Sequence, residues 1–296
     1  MENLCQHNQQ GFQWTLINNR WHTVFIYRRR RLTVPSSPLI ILGSGYTARF
    51  LWPLVADRSP KVFATSRAPE QHLSYVPPVQ RLRFDLSQPD TWGNIPRDAD
   101  LLWCFPATPI ELVRQFAATL TGSPRRLVVL GSTSAYDQGD SQEYPPPWIS
   151  ENAPIDLSKP RVQGEEYLRR EQRAIVLRVA GIYGPGRNPL DWIRTGRVKS
   201  SRKYVNLIHV EDLAAICLAA LERGTPGEAY NVSDGTQRTW EEICLTAEQH
   251  WNVRSPQSAS TQDTGKRISN AKLTQDLGYT IQRPDLFSEL TLIKDL

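Results

Sequence analysis

The residues best suited to chemistry are Gly43-Ser44-Gly45-Tyr46-Thr47-Ala48, which fit the spacing G-x-G-x-x-G/A. They stand between the apolar run Leu39-Ile40-Ile41-Leu42 and a stretch with helical periodicity. The first glycine of such a motif permits a tight turn. The second lets backbone approach a pyrophosphate, and a small third residue lets helix and strand pack closely. A helix starting here offers unpaired N–H groups and the positive end of its dipole to an anion. The motif alone is weak, and its position directly after a strand and before a helix gives it weight.

A second group lies about 20 residues on, where an NAD site usually carries Asp or Glu for the ribose 2′-hydroxyl. Here the chain reads Thr65-Ser66-Arg67, with no acid before Glu70. A guanidinium pairs with a 2′-phosphate through charge-assisted hydrogen bonds, Ser66 can add a donor, and a carboxylate would repel the phosphate. The spacing therefore favours NADP(H) over NAD(H), with Arg67 as a plain loop charge the competing reading.

These groups need strands and helices to hold them. Leu39–Leu42 reads as a strand buried on both faces, followed by a helix over Tyr46–Ala56. Further strands are expected at 61–65, 81–84, 101–105, 127–130 and 174–179, with helices over 110–120 and 162–171. This alternation predicts an α/β fold: a Rossmann-type doubly wound parallel sheet with ligand at the carboxyl ends of its strands. Residues 38–184 form the nucleotide-binding domain, and 185–296 a small C-terminal substrate lobe interleaved with it. In that lobe 209–221 and 240–250 read as helices and 229–232 as a strand. Residues 1–37 read as a basic, flexible extension.

Composition narrows the function. The net charge of +5 suggests nucleic acid, but residues 1–37 hold five arginines against Glu2, leaving 30 basic and 29 acidic residues elsewhere. The basic balance belongs to the extension, and Arg28–Arg31 read first as a solvated run. Nucleic acid is disfavoured as a partner. No apolar stretch approaches the ~20 residues of a membrane span. Cys5, Cys104, Cys217 and Cys244 are scattered without CxxC spacing, so neither a metal site nor a disulfide framework is expected and the chain reads as cytoplasmic.

Several short motifs recur in the order of one family. Phe84-Asp85-Leu86 comes after the third strand and Gly131-Ser132-Thr133-Ser134-Ala135-Tyr136 after the fifth, while Leu177 to Arg187 (LRVAGIYGPGR) spans the sixth and the residues just beyond it. Ile208-His209-Val210-Glu211-Asp212-Leu213 and Tyr230-Asn231-Val232 come later. Over residues 38–290 the chain resembles the short-chain dehydrogenases/reductases, in particular the NAD-dependent epimerase/dehydratase (extended) branch and its atypical members. The resemblance implies that Asp85 and Leu86 lie near adenine, that Pro106 and Ala107 pass beside the cofactor, and that Ser132 is the catalytic hydroxyl. A hydroxyl at that strand end can hydrogen-bond a developing alkoxide; alternatively it only caps its own loop.

The family's acid/base pair is a tyrosine four residues before a lysine, and no tyrosine here has lysine at that distance. Aligning Gly164-Glu165 on the family's helix puts Arg161 at the lysine position and Leu157 at the tyrosine position. Arginine can bind ribose hydroxyls but is a poor proton partner, and Lys159, just before Pro160, does not restore the motif. Tyr136, Tyr183, Glu151 and Asp156 are the nearby groups that could replace the tyrosine.

On the substrate side, valine stands where nucleotide-sugar members carry a basic residue before His-Val-x-Asp. Arg187, Arg194, Arg197, Lys199, Arg202 and Lys203 crowd one stretch, either a solvated face or a field for an anionic small molecule. Arg187 and His209 are the substrate-binding candidates, with His209 also readable as a structural histidine between the lobes. Two functions compete: an NADP(H)-dependent oxidoreductase or epimerase-like enzyme on a small-molecule substrate, and a non-catalytic NADP(H)-binding sensor or scaffold.

Overall fold

A computed structural model describes residues 13–17, 20–24 and, within 38–294, all but 57–60, 121–125, 138–140, 142 and 257–263. The chain divides into two units, Met1–Thr33 and Val34–Leu296. In the first, Gln13–Ile17 pairs antiparallel with Arg20–Val24, two strands that local sequence pattern did not reveal. Arg28–Arg31, and the flexibility expected of the extension, lie outside the described residues.

The second unit is built on seven parallel strands. β1 (Leu39–Leu42), β2 (Val62–Ser66), β3 (Arg81–Arg83), β4 (Asp100–Trp103), β5 (Leu127–Ser132) and β6 (Ile175–Val179) are joined by the distant β9 (Ala229–Val232), in the order β9-β6-β5-β4-β1-β2-β3. β1, an apolar run, and β4, apolar after Asp100, are buried throughout, because helices cover both faces of a parallel sheet. The intervening helices are α1 (Tyr46–Val55), α2 (Ile110–Thr119) and α3 (Pro160–Glu171). The doubly wound sheet expected from the alternation is the one observed. The chain runs outward from β1 to β3, then crosses back to β4 on the other side of β1, which opens a crevice at the carboxyl ends of β1 and β4.

Residues after 184 are interleaved with this sheet. β7 (Gly181–Tyr183) pairs in parallel with β8 (Leu207–His209) outside it, a pair that sequence periodicity did not reveal. β8 leads into α4 (Val210–Arg223), which packs on α1, and then β9 returns to the sheet edge beside β6. Asp212 pins the C-terminal segment by accepting from the Tyr279 hydroxyl at 2.7 Å and the backbone N–H groups of Gln282 and Arg283 at 2.9 Å. Beneath the crevice, Phe84, Trp92 and Trp103 surround Phe116 with ring centroids 4.9, 5.5 and 5.7 Å away. Trp103 also packs against Phe105 at 4.9 Å, so the core supports one wall of the crevice.

Candidate functional site

The Gly-rich turn is held open by geometry that only glycine meets. Gly43 has φ +84°, and a Cβ there would sit 2.7 Å from the Phe105 ring. Its N–H donates to Thr65 Oγ1 at 2.9 Å, and the Ser44 hydroxyl donates to the Thr65 carbonyl at 2.8 Å, tying the turn to β2. Gly45 is the N-cap of α1 and caps it with no side chain, and a Cβ there would meet nothing within 4 Å. The first N–H groups of α1 therefore have no side-chain cap, which leaves them for water or an anion. Thr47 and the small Ala48 are buried against the sheet.

Gly43, Ser44 and Gly45 line one cleft of about 500 Å³ with Arg49, Ser66, Arg67, His72, Phe84, Asp85, Leu86 and Phe105. Ser66 is 8% exposed. Its Oγ accepts from the Ala68 N–H at 3.2 Å and lies 2.7 Å from His72 Nδ1. Asp85 turns onto Ser87, whose hydroxyl and N–H donate to its carboxylate at 2.7 and 2.9 Å and hold it below the usual carboxylate range. Of the cofactor positions expected from the sequence, Gly43, Ser44, Gly45, Ser66, Arg67, Asp85 and Leu86 line this cleft, whereas Tyr46, Thr47, Ala48, Pro106 and Ala107 are not among its lining residues. Arg49 and His72 were missed, since helix-borne side chains carry no local signal of facing a cleft. A second cleft of about 540 Å³ is lined by residues between Thr236 and Phe287 and shares no residue with the first.

The tip of β5, where the family resemblance expects the catalytic hydroxyl, is built differently. Ser132 Oγ accepts from the Ser134 N–H at 3.1 Å, which leaves its own proton free. Arg161 is engaged: its Nε donates to Glu165 Oε1 at 2.7 Å and its guanidinium to the Leu130 carbonyl at 2.9 Å. Burial raises the Glu165 carboxyl despite Arg161. Leu157, at the family's tyrosine position, is 49% exposed. Tyr136 is buried, donating to Asn231 Oδ1 and accepting from Arg178, both at 2.7 Å. Tyr183 is fully buried; Glu151 accepts from the Asn231 N–H at 2.8 Å, and Asp156 accepts from Ser158. The two hydroxyls among the four, Tyr136 and Tyr183, are therefore both shut away from the surface.

Two lysines meet the turn after Ser132. Lys159 donates to the Ser134 carbonyl at 2.7 Å and to Asp137 at 3.1 Å, and Lys266 donates to the Thr133 carbonyl at 3.2 Å and to Asp137. Burial pushes the Asp137 carboxyl up, but the two ammonium groups outweigh it and hold the group below its ordinary range. Lys266 is 133 residues from Thr133, too far for any spacing rule to connect.

Between the two sides, Arg187 lies 4.2 Å over the ring of Tyr46, whose hydroxyl donates to the Pro185 carbonyl at 2.9 Å. His209 is 2% exposed, accepts the Glu211 N–H at 3.3 Å as the N-cap of α4 and meets Tyr183 edge-on at 5.2 Å. Burial, helped by Arg283, pulls its imidazole down to about 4. Ala107 is buried with its carbonyl against Gly164, where a Cβ would stand 1.9 Å away, and Pro106 beside it is exposed. Among the described residues no cluster of His, Cys, Asp and Glu fits a metal, and no helix is long and apolar enough to cross a membrane.

No family model matches the chain. Protein YeeZ of Escherichia coli K12 is 26% identical over 164 residues, which are 54% of this chain and 59% of that protein. The chain thus spans less than two thirds of the length of the curated relative it matches. Among solved structures, a protein from Methylobacillus flagellatus provisionally named an NAD-dependent epimerase/dehydratase is 26% identical with a TM-score of 0.69, over 88% of this chain and 98% of that one. A conserved protein of unknown function from Silicibacter pomeroyi is 24% identical with a TM-score of 0.70, over 88% and 99%. The chain therefore has the fold of the NAD-dependent epimerase/dehydratases and short-chain dehydrogenases/reductases, as its motifs led us to expect.

Proposed function

We propose that this protein binds NADP(H) across the glycine turn and acts as an NADP(H)-dependent oxidoreductase or epimerase-like enzyme on a small, anionic carbonyl or alcohol substrate. The observation that carries this reading is the tip of β2. Ser66, Arg67 and Arg49 line the cleft there, and the carboxylate that an NAD site places at this strand end is absent. Gly43, Ser44, Gly45, Tyr46, Thr47 and Ala48 hold the pyrophosphate, Asp85 and Leu86 bound the adenine, and Pro106 and Ala107 flank the nicotinamide half. The coenzyme supplies or takes the hydride. Ser132 hydrogen-bonds the reacting oxygen with its free proton, Arg161 fixes α3 against β5 at the ribose, and Arg187 meets the substrate's charge, with His209 holding its segment.

Thermal shift with each coenzyme tests this. NADPH should raise the melting temperature more than NADH, and Arg67→Asp should cancel or reverse that order. Equal shifts in both proteins would defeat the NADP assignment. A second reading, a non-catalytic NADP(H) sensor or scaffold, is supported by Leu157 at the tyrosine position and by the engaged state of Arg161. Coenzyme turnover with small carbonyl acids that is lost in Ser132→Ala separates the two readings in favour of the enzyme.

A further inference from the structure

The Ser66 hydroxyl has one proton and two neighbours competing for its oxygen. Ala68 N–H donates to Oγ, and His72 Nδ1 lies 2.7 Å away. When Nδ1 is bare, Ser66 must spend its proton on the imidazole and has none left for a ligand. When Nδ1 carries a proton, in the neutral Nδ1–H tautomer or in the imidazolium, the imidazole donates to Oγ instead, and the Ser66 proton turns toward the cleft that both side chains line. In the imidazolium both ring nitrogens are protonated, so Nδ1 can only donate, and a positive charge is added beside Arg67 and Arg49.

We propose that His72 is a specificity-determining residue of this site: as an imidazolium it can only donate to Ser66, which fixes the Ser66 proton on the 2′-phosphate, so that NADP(H) binding takes up a proton at His72. This rests on the NADP(H) reading above and adds to it a residue and a coupling. The groups around His72 favour the charged state once phosphate is present. Asp85, across the cleft, is engaged by Ser87. Glu70, on the same short helix Pro69–His72, is paired with Arg81 at 2.8 Å, and Arg83 donates to Gln88 at 2.8 Å. Arg49 and Arg67 oppose the imidazolium in the empty cleft, and a phosphate dianion offsets that repulsion.

Calorimetric titration of the full chain with NADPH and with NADH, in buffers of differing ionisation heat, tests this at about pH 6 and about pH 8. NADPH should bind with proton uptake that NADH lacks, and His72→Gln should remove that difference. His72→Gln should also weaken NADPH about tenfold at the lower pH and about twofold at the higher, the scale of one charge-assisted hydrogen bond, with NADH unchanged. In a Ser66→Ala background the His72 substitution should lose most of its effect. The phosphate's own titration is common to both proteins and cancels in the comparison. Preference for NADPH that His72→Gln leaves untouched in both affinity and proton uptake would overturn the inference and spare the NADP reading. No preference for NADPH in the unaltered chain would overturn both.

Discussion

The two ends of the crevice differ in what their polar groups are free to do. At the tips of β1 and β2, the α1 N-terminus has no side-chain cap, and Ser66, His72, Arg49 and Arg67 face one cleft. At the tip of β5, Arg161 is held by Glu165 and Leu130, Tyr136 by Arg178 and Asn231, and Lys159 and Lys266 by carbonyls of the turn and by Asp137. One region is arranged to receive charge; the other satisfies its charges internally and leaves the Ser132 proton as its clearest offering. The two regions therefore differ in how far their polar groups are already committed within the chain.

The largest expected effect comes from breaking the second region. Arg178 is 4% exposed and donates to Tyr136 and, at 3.0 Å, to Glu166, whose carboxyl burial would raise but Arg169 and Arg178 hold low. Arg178→Met removes two buried charge-assisted hydrogen bonds, of about 1.5 to 3 kcal/mol each, and should cost about 3 kcal/mol or more of stability even though Arg169 still holds Glu166. A denaturation midpoint close to that of the unaltered chain would show that the network does not hold the β5 side together.

Next in size is the pH response of the seam at His209. Its imidazole is held at about 4 against an ordinary 6.5. The folded form refuses a proton that the unfolded chain accepts, so this stabilisation is complete above about pH 6.5 and is lost as pH falls toward about 4, by up to roughly 3 kcal/mol. His209→Asn keeps an N-cap acceptor and should flatten stability across that window; an unchanged pH profile would remove His209 as its source.

Gly43→Ala then tests the first region alone. A positive φ and the Phe105 contact predict a loss of about 1 to 3 kcal/mol together with the coenzyme-induced rise in melting temperature. Retained binding would show that the turn tolerates a side chain. The smallest effect sharpens the contrast: Ser132→Ala should leave NADPH affinity within about twofold, since the oxygen it loses accepts only one loop N–H. A large loss would mean that the two regions are coupled after all.

Sequence by itself determined the sheet and the turn. Buried parallel strands are continuous apolar runs, and a pyrophosphate turn needs glycines at fixed intervals, so both leave local signatures in residues 39–48. It also determined that the tyrosine–lysine pair is missing, because that pair is defined by spacing along a single helix. Only the tertiary structure decided which charges are free. It brought His72 onto Ser66 and Lys266 onto the Ser132 turn, and it joined β7 to β8 and β9 to β6. Whether an arginine such as Arg161 is available or already paired depends on neighbours supplied from elsewhere in the chain. Pairing and burial are properties of the packed fold, and no periodicity encodes them.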